Sequence, residues 1–237
     1  MLADLASAGI GIACALLIAF PLGGALRKHP APFYVVAILL VAAHFAYRAS
    51  GAYVASAQVL LDVLNKAYLG CALLAVVMFT GVFDMNHPVR HRLQPIRAEL
   101  SILSFIFVLD HIVGYAPAFL PVLGQLFGLR AGMAVSFVAA AVLTAVFVML
   151  TVTSVKAVRA KMPHAVWKNV QRGSYVMVGL LWLHIVLVLG RPAFSEAGGS
   201  QAAQIALAVY TIAVLVYAVL RIRKALRDRQ KGLGDQA

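Results

Sequence analysis

The stretch AGMAVSFVAAAVLTAVFVMLTVTSV, residues 131–155, contains no charged side chain and is bounded by Arg130 and Lys156. A bilayer core of about 30 Å needs about 20 apolar residues in a helix, so this stretch is long enough to cross a membrane. Of the 237 residues, 63% are hydrophobic and 12% are charged. A soluble domain of this size could not hide so much apolar surface. The composition therefore predicts an all-α, polytopic membrane protein and excludes a soluble enzyme or a disordered chain.

Six further apolar runs have a similar length, and proline, glycine or polar residues separate them. The seven predicted spans are approximately 3–26, 33–49, 58–83, 98–118, 131–155, 172–190 and 202–220. We expect them to form a seven-helix bundle.

The basic residues alternate between the two sides of this predicted bundle. Of the 20 lysines and arginines, 16 fall in the connections 26–32, 84–97 and 156–172 and in the tail after residue 220. The alternate connections hold the remaining four, Arg48, Lys66, Arg130 and Arg191. Because loops on the cytoplasmic side carry the excess of positive charge, the N-terminus is predicted outside and the C-terminus inside a bacterial inner membrane. The net charge of +12 is then explained by the orientation of the chain in the membrane. It does not indicate a nucleic-acid partner.

Three of the seven histidines lie inside predicted spans, where an ionisable side chain is costly and indicates function. At 1.5 Å per residue, His111 lies about 21 Å beyond Arg97, and His184 about 18 Å beyond Arg172. Two imidazoles at one level of a bundle are the ligand set of a bis-histidine b-type haem. His44 lies at a similar depth, about 18 Å from the inner face, so spacing alone keeps it as an alternative ligand.

Asp110 precedes His111 and is also predicted to be buried in the membrane. We favour a protonated carboxyl, or one paired with Arg48 or Lys66. The alternative is a functional role, as a proton acceptor or as a partner for an imidazole N–H group. The four cations on the outer side are candidate partners for haem propionates, although snorkelling anchors explain each of them more simply: Arg48, Lys66, Arg130 and Arg191.

Two stretches carry a resemblance to a known family. The sequence WKNVQRGSYVMVGLLWLH, residues 167–184, and the sequence IRAELSILSFIFVLDHIVGYA, residues 96–116, are similar to the fifth and third core helices of the ferric reductase-like transmembrane family. The nearest similarity is to the haem-binding membrane subunit of the bacterial periplasmic methionine sulfoxide reductase system. The resemblance covers about residues 70–220 and implies a six-helix core with one additional N-terminal helix.

The resemblance implies that His111 and His184 are the axial ligands of an outer haem b. It makes His44 a less favoured ligand than these two. Members with two haems have an inner histidine pair, and Arg97 and Gln171 occupy those positions here. One haem is therefore expected. We expect a single transmembrane domain over 1–237, with N-terminal helices in 1–57, a haem-binding core in 58–222 and a basic cytoplasmic tail in 223–237.

The implied function is a haem b membrane subunit that passes electrons from a quinol or flavin donor to an extracytoplasmic redox protein or acceptor. The chain has no nicotinamide or flavin domain, so FMN or a quinone would be a separate, second cofactor. The parent enzyme would be of the ferric reductase-like or methionine sulfoxide reductase type. Two alternatives stay open: a haem-free transporter or channel, and a membrane anchor with packed histidines. The ionisable groups of such a transporter would be His44, Asp110, His111 and His184.

Overall fold

The computed structural model describes residues 2–119, 131–195 and 198–234, and the regular structure in these ranges is helical. Two 3₁₀ turns, Ala55–Ala57 and Gln94–Ile96, accompany the α-helices. In chain order the helices are α1 Leu2–Ala19, α2 Gly23–Lys28, α3 Pro30–Ala49, α4 Gln58–Asn65, α5 Tyr68–Thr80, α6 Pro88–Leu93, α7 Arg97–Phe119, α8 Ala131–Val152, α9 Lys156–Arg159, α10 His164–Gln171, α11 Gly173–Ala193 and α12 Gln201–Gly234.

Seven segments of the described chain are long and apolar enough to cross a membrane, which confirms the predicted all-α class and the predicted number of spans. They are Leu2–Ala19, Pro30–Ala49, Ala55–Thr80, Pro88–Pro117, Ala134–Val152, His164–Ala193 and Gln201–Gln230.

The third of these segments is interrupted, where the sequence predicted one continuous helix over 58–83. Helix α4 ends at Asn65, and Ala67 adopts a left-handed conformation with φ of 56° before α5 begins. Helix α4 packs against α1, where the Ser7 hydroxyl donates to the Val59 carbonyl at 2.8 Å. The interruption leaves the carbonyl groups at the end of α4 without helical partners.

Two other boundaries differ from the predicted ones. Helix α1 ends at Ala19, and a turn leads into the separate helix α2, where the sequence predicted one span to residue 26. The last helix extends through the basic segment to Gly234, so residues 223–234 continue the span as a helix.

Helices α5 and α7 pack closely because Gly70 has no side chain. A Cβ atom at Gly70 would lie 2.6 Å from Val108 Cγ2, and the Ser104 hydroxyl donates to the Gly70 carbonyl at 2.7 Å. Helices α1 and α3 join this pair in one apolar cluster that includes Leu73 and Leu100. A second cluster connects α5, α8, α11 and α12.

The outward faces of the bundle are apolar. On α3, the side chains of Val35, Val36, Ile38 and Leu39 are all more than half exposed. An apolar surface of this kind on a helix of spanning length is suited to lipid. The protein is therefore a multi-pass membrane protein that contacts lipid through these faces.

The basic connections meet at one end of the bundle, which we call the basic end: residues 20–29, 81–99, 153–172 and 221–230. Three contacts join them: Arg92 Nη2 donates to the Phe20 carbonyl at 3.0 Å, Arg221 Nη1 donates to the Gly81 carbonyl at 2.7 Å, and Lys156 Nζ pairs with Glu99 Oε1 at 3.1 Å. The alternation of charge predicted from the sequence thus corresponds to a shared location in space.

Candidate functional site

His111 is oriented by the interruption between α4 and α5. Its Nδ1 lies 2.8 Å from the Asn65 carbonyl oxygen. A carbonyl can only accept a hydrogen bond, so Nδ1 carries the proton and the Nε2 of a neutral ring keeps its lone pair. The Asn65 carbonyl is available because α4 ends at that residue. The ring of Tyr115, one helical turn away, lies 4.8 Å from the imidazole ring. The fold therefore presents Nε2 of His111 as a potential metal ligand.

His184 lies on α11 and has unsatisfied hydrogen-bonding capacity. Its Nδ1 is buried and has no hydrogen-bond partner among the described residues. A buried polar atom without a partner costs about 1–3 kcal/mol, so such an atom needs an explanation. The His184 ring lies within electrostatic range of the His111 ring. The two histidines predicted from spacing therefore lie in the same region of the bundle.

Asp110 pairs with His44, and neither Arg48 nor Lys66, the two cations predicted as its partners, contacts it. Both of its oxygens lie 2.8 Å from His44 Nδ1, and both residues are buried between α3 and α7. The sequence favoured a protonated carboxyl or a pair with Arg48 or Lys66. The alternative prediction placed this carboxyl beside an imidazole, and the structure shows such a contact with His44. Adjacent residues on a helix point about 100° apart, so Asp110 faces α3 while His111 faces the α4–α5 interruption.

Arg48 connects α3 to the elements that hold His111. Its Nη1 donates to Asn65 Oδ1 and its Nη2 donates to the Gly114 carbonyl, each at 3.0 Å. A Cβ atom at Gly114 would lie 2.1 Å from Arg48 Nη1, so only glycine leaves room for the guanidinium. Arg48 therefore already has two protein partners, although a guanidinium retains further donors.

The other candidate propionate partners differ in their surroundings. Lys66 Nζ pairs with Asp4 at 2.6 Å and with Asp62 at 2.8 Å, so its charge is already compensated. Arg191 is exposed in the last turn of α11. Arg130 lies outside the described residues. Among the described cations of this set, Arg191 is the one whose side chain makes no hydrogen bond or ion pair with another described residue.

Arg97 and Gln171 line one cavity of about 140 Å³ at the basic end. Gln171 Nε2 donates to Thr153 Oγ1 at 3.0 Å, so its amide has a structural role. Glu99 lines the same cavity; it is 3% exposed, and its Oε2 is buried without a partner. The two positions that the resemblance equated with an inner ligand pair therefore lie together, but neither is a histidine.

The imidazole pair fits a haem iron better than a zinc ion. Within the described ranges, no group of three or more His, Cys, Asp or Glu side chains is placed to hold a metal ion. Zinc normally takes three or four such ligands, whereas a b-type haem takes one imidazole on each side of the iron. The bonded Nδ1 of His111 is the arrangement that a ligating imidazole normally has, whereas Nδ1 of His184 has no partner among the described residues.

Sequence analysis missed three features of the site: the Asn65 carbonyl, the space at Gly114 and the buried Glu99. The Asn65 carbonyl is a backbone group, and it is free to accept a hydrogen bond only because the helix is interrupted there. No proline or glycine in residues 65–67 indicates this interruption in the sequence. Gly114, three residues after His111, was a visible signal, because glycine within a span often allows close approach. Glu99 was visible as an acidic residue within a predicted span.

Fold and site together define a multi-pass α-helical membrane protein with two imidazoles, those of His111 and His184, inside the bundle. No family model matches the chain, and no solved structure matches it. The chain is 33% identical over 174 residues to an uncharacterized protein of Treponema pallidum (strain Nichols). The matched region is 73% of this chain and 47% of that protein, so the chain spans about half the length of the curated relative it matches.

Proposed function

We propose that this protein is a membrane electron-transfer subunit in which His111 and His184 bind the iron of one haem b. The observation that carries the proposal is the contact of His111 Nδ1 with the Asn65 carbonyl, which leaves Nε2 of His111 free. The electrostatic range between the two rings supports His184 as the second ligand. The resemblance of residues 96–116 and 167–184 to the ferric reductase-like family supports the same two ligands. When bound, haem b would supply a one-electron redox centre.

The residues around the imidazole pair would position the ligands and exclude water. Asn65 fixes the tautomer of His111, and Arg48 holds the side chain of Asn65. Arg191 is exposed at the end of α11, and its guanidinium group would pair with a haem propionate. His44 would not be a ligand, because Asp110 turns its ring toward the α3–α7 interface.

The orientation forms part of the proposal. The basic end would face the cytoplasm of a bacterium, with the N-terminus outside and the C-terminus inside. Electrons would come from a quinol in the bilayer or from a flavin at the basic end, and an extracytoplasmic redox protein would receive them. The six-helix core and the division of the chain at residues 57 and 222 belong to the same proposal.

The test is the absorption spectrum of the purified protein, oxidised and dithionite-reduced, after expression with added haem. We expect a bis-histidine b-type spectrum and one haem per chain. His111→Ala and His184→Ala should abolish it. The controls are His164→Ala, an exposed residue at the basic end, and His44→Gln, and both should retain it. A colourless protein, or a spectrum unchanged in both ligand variants, would refute the proposal.

A haem-free transporter is the second candidate, and the interrupted third span favours it. Discontinuous helices with ionisable groups at the break often form ion sites in transporters. Lys66, at this break, pairs with Asp4 and Asp62, and the buried His44–Asp110 pair lies nearby on α3 and α7. In proteoliposomes, a colourless protein should then carry an ion or proton flux that Asp110→Asn lowers. Haem binding without any flux would exclude this candidate.

A further inference from the structure

A surface pocket of about 350 Å³ lies at the basic end, between α2 and the 3₁₀ turn Gln94–Ile96. Residues from the turn after α1, from α2, from α6 and from the 3₁₀ turn form its wall. Pockets that bind small ligands usually have volumes of about 300–1,000 Å³. Because α1 ends at Ala19 and α3 begins at Pro30, the pocket lies where the chain leaves one membrane-spanning segment and enters the next.

The wall of this pocket is positively charged. It contains Arg27, His91 and Arg92, and no acidic residue of the described chain lines it. Arg92 Nη2 donates to the Phe20 carbonyl at 3.0 Å, and its guanidinium lies 5.7 Å from the centre of the Phe20 ring. These contacts hold Arg92 at the wall and leave its other donors unused. The side chains of Arg27 and His91 form no hydrogen bond or ion pair with another described residue.

The acidic residues of the described chain do not neutralise this wall, because they pair with other side chains. Two of the eight acidic residues, Glu196 and Asp235, lie outside the described ranges. The others pair as follows: Asp4 and Asp62 with Lys66, Asp84 with Lys224 and Arg227, Glu99 with Lys156, Asp110 with His44, and Asp228 with Lys224. An external anion would supply the missing negative charge.

Two glycines of α2 give the pocket its shape. A Cβ atom at Gly23 would lie 3.1 Å from Ile96 Cδ1, so this glycine allows α2 to lie against the 3₁₀ turn. A Cβ atom at Gly24, which also lines the pocket, would meet no atom within 4 Å. The space beside Gly24 is therefore open, and a larger side chain at this position would extend into it.

An apolar surface adjoins the pocket. Phe20 and Pro21 line the pocket itself, and they directly follow α1. On α1, the side chains of Ile12, Leu16 and Leu17 are about half exposed. A phospholipid has the same arrangement, with a charged phosphate next to apolar acyl chains. A soluble phosphate compound would leave the apolar part of this surface without a counterpart.

We propose that this pocket binds the headgroup of an anionic phospholipid, with Arg27 and Arg92 as the residues that bind its phosphate oxygens. A guanidinium matches the geometry of phosphate oxygens and binds them through paired hydrogen bonds. Basic pockets between helices of membrane proteins bind the headgroups of anionic lipids in this way. The bound lipid connects α2 to the 3₁₀ turn Gln94–Ile96. The site shares no residue with the imidazole pair, so haem content should be the same in variants of the pocket.

Native mass spectrometry of the purified full-length protein in a neutral detergent measures this binding. Phosphatidylglycerol is titrated at one ionic strength, because salt screens exposed charges, with phosphatidylcholine as the lipid without net charge. Arg27→Gln should weaken phosphatidylglycerol binding about tenfold to a hundredfold, the effect of losing charge-assisted hydrogen bonds. Gly24→Leu should weaken it as well, because it fills the pocket without a change in charge. Lys28→Gln is the matched control, since Lys28 is exposed on α2 but does not line the pocket.

The proposal is supported if phosphatidylglycerol binds saturably and more tightly than phosphatidylcholine, and if both pocket variants weaken this binding while Lys28→Gln does not. If Arg27→Gln does not fold, Arg92→Gln replaces it. Equal weakening in Lys28→Gln would show a diffuse effect of charge and would overturn the site. Unchanged affinity in either pocket variant, or saturable binding of inorganic phosphate without binding of the lipid, would also overturn the proposal.

Discussion

The contact between α5 and α7 should not accept even one additional methyl group at Gly70. A Cβ atom there would lie 2.6 Å from Val108 Cγ2, 3.1 Å from the Ser104 carbonyl oxygen and 3.1 Å from Val108 N. The first contact involves a side chain, but the other two involve the backbone of α7. The side chain alone therefore cannot relieve the clash, and the two helices must separate.

The expected cost of Gly70→Ala follows from three opposing terms. Overpacking of this kind costs about 1–3 kcal/mol. Separation of the helices also weakens the hydrogen bond from Ser104 to the Gly70 carbonyl, which contributes about 1 kcal/mol. Alanine is a better helix former than glycine by about 1 kcal/mol, which offsets part of this loss. The free energy of unfolding should therefore fall by about 1–3 kcal/mol.

The assay is thermal unfolding in detergent, followed by size-exclusion chromatography with fluorescence detection. Gly179→Ala on α11 is the matched control, because a Cβ there meets no atom within 4 Å. The midpoint for Gly70→Ala should be several degrees below that of the control. Adding Val108→Ala should restore only part of the loss, since it removes the Cγ2 contact and leaves the backbone contacts. If Gly70→Ala is as stable as Gly179→Ala, the close packing inferred for α5 and α7 is wrong.

Three further substitutions test the packing around the imidazoles and the first helix. Asp110→Ala should lower the free energy of unfolding by about 1–3 kcal/mol, because it leaves His44 Nδ1 buried without a partner. Adding His44→Phe should recover part of that loss, as measured by thermal unfolding. Gly114→Ala should displace Arg48 and lower the unfolding temperature, but the same change should have no such effect in an Arg48→Ala background, as measured by a double-mutant cycle. Gly11→Ala should separate α1 from α5, since its Cβ would lie 3.0 Å from backbone atoms of α5, and cysteine crosslinking between the two helices should then become less efficient.

Much of the candidate site could be predicted from span boundaries and the helical rise. His111 and His184 were predicted at one level because a helix advances by a fixed distance per residue, and in the structure the two rings lie within electrostatic range of each other. The partner of Asp110 could not be obtained in this way. Several groups lay at a suitable depth, and the rotation of α3 relative to α7 decided that His44 is the partner.

The interruption at Ala67 shows where local patterns fail. Alanine favours helix, and the apolar run 58–83 gives no local reason to stop. The left-handed turn is compatible with α4 packed across α1 and with Lys66 between two carboxylates, and these contacts come from distant parts of the chain. Contacts made in the folded protein can override a weak local preference, since helix propensities differ by less than about 1 kcal/mol per residue.

The sequence by itself determined the class of protein and the number of spans, because the length of an apolar run is matched to the thickness of a bilayer. It also determined which connections are basic, and the structure gathers those connections at one end of the bundle. Only the tertiary structure decided which polar groups meet: His111 with the Asn65 carbonyl, and His44 with Asp110. Depth is a property of one helix and can be counted along the chain. A pairing depends on how two helices are rotated and where one is interrupted, and close packing at residues such as Gly70 fixes both.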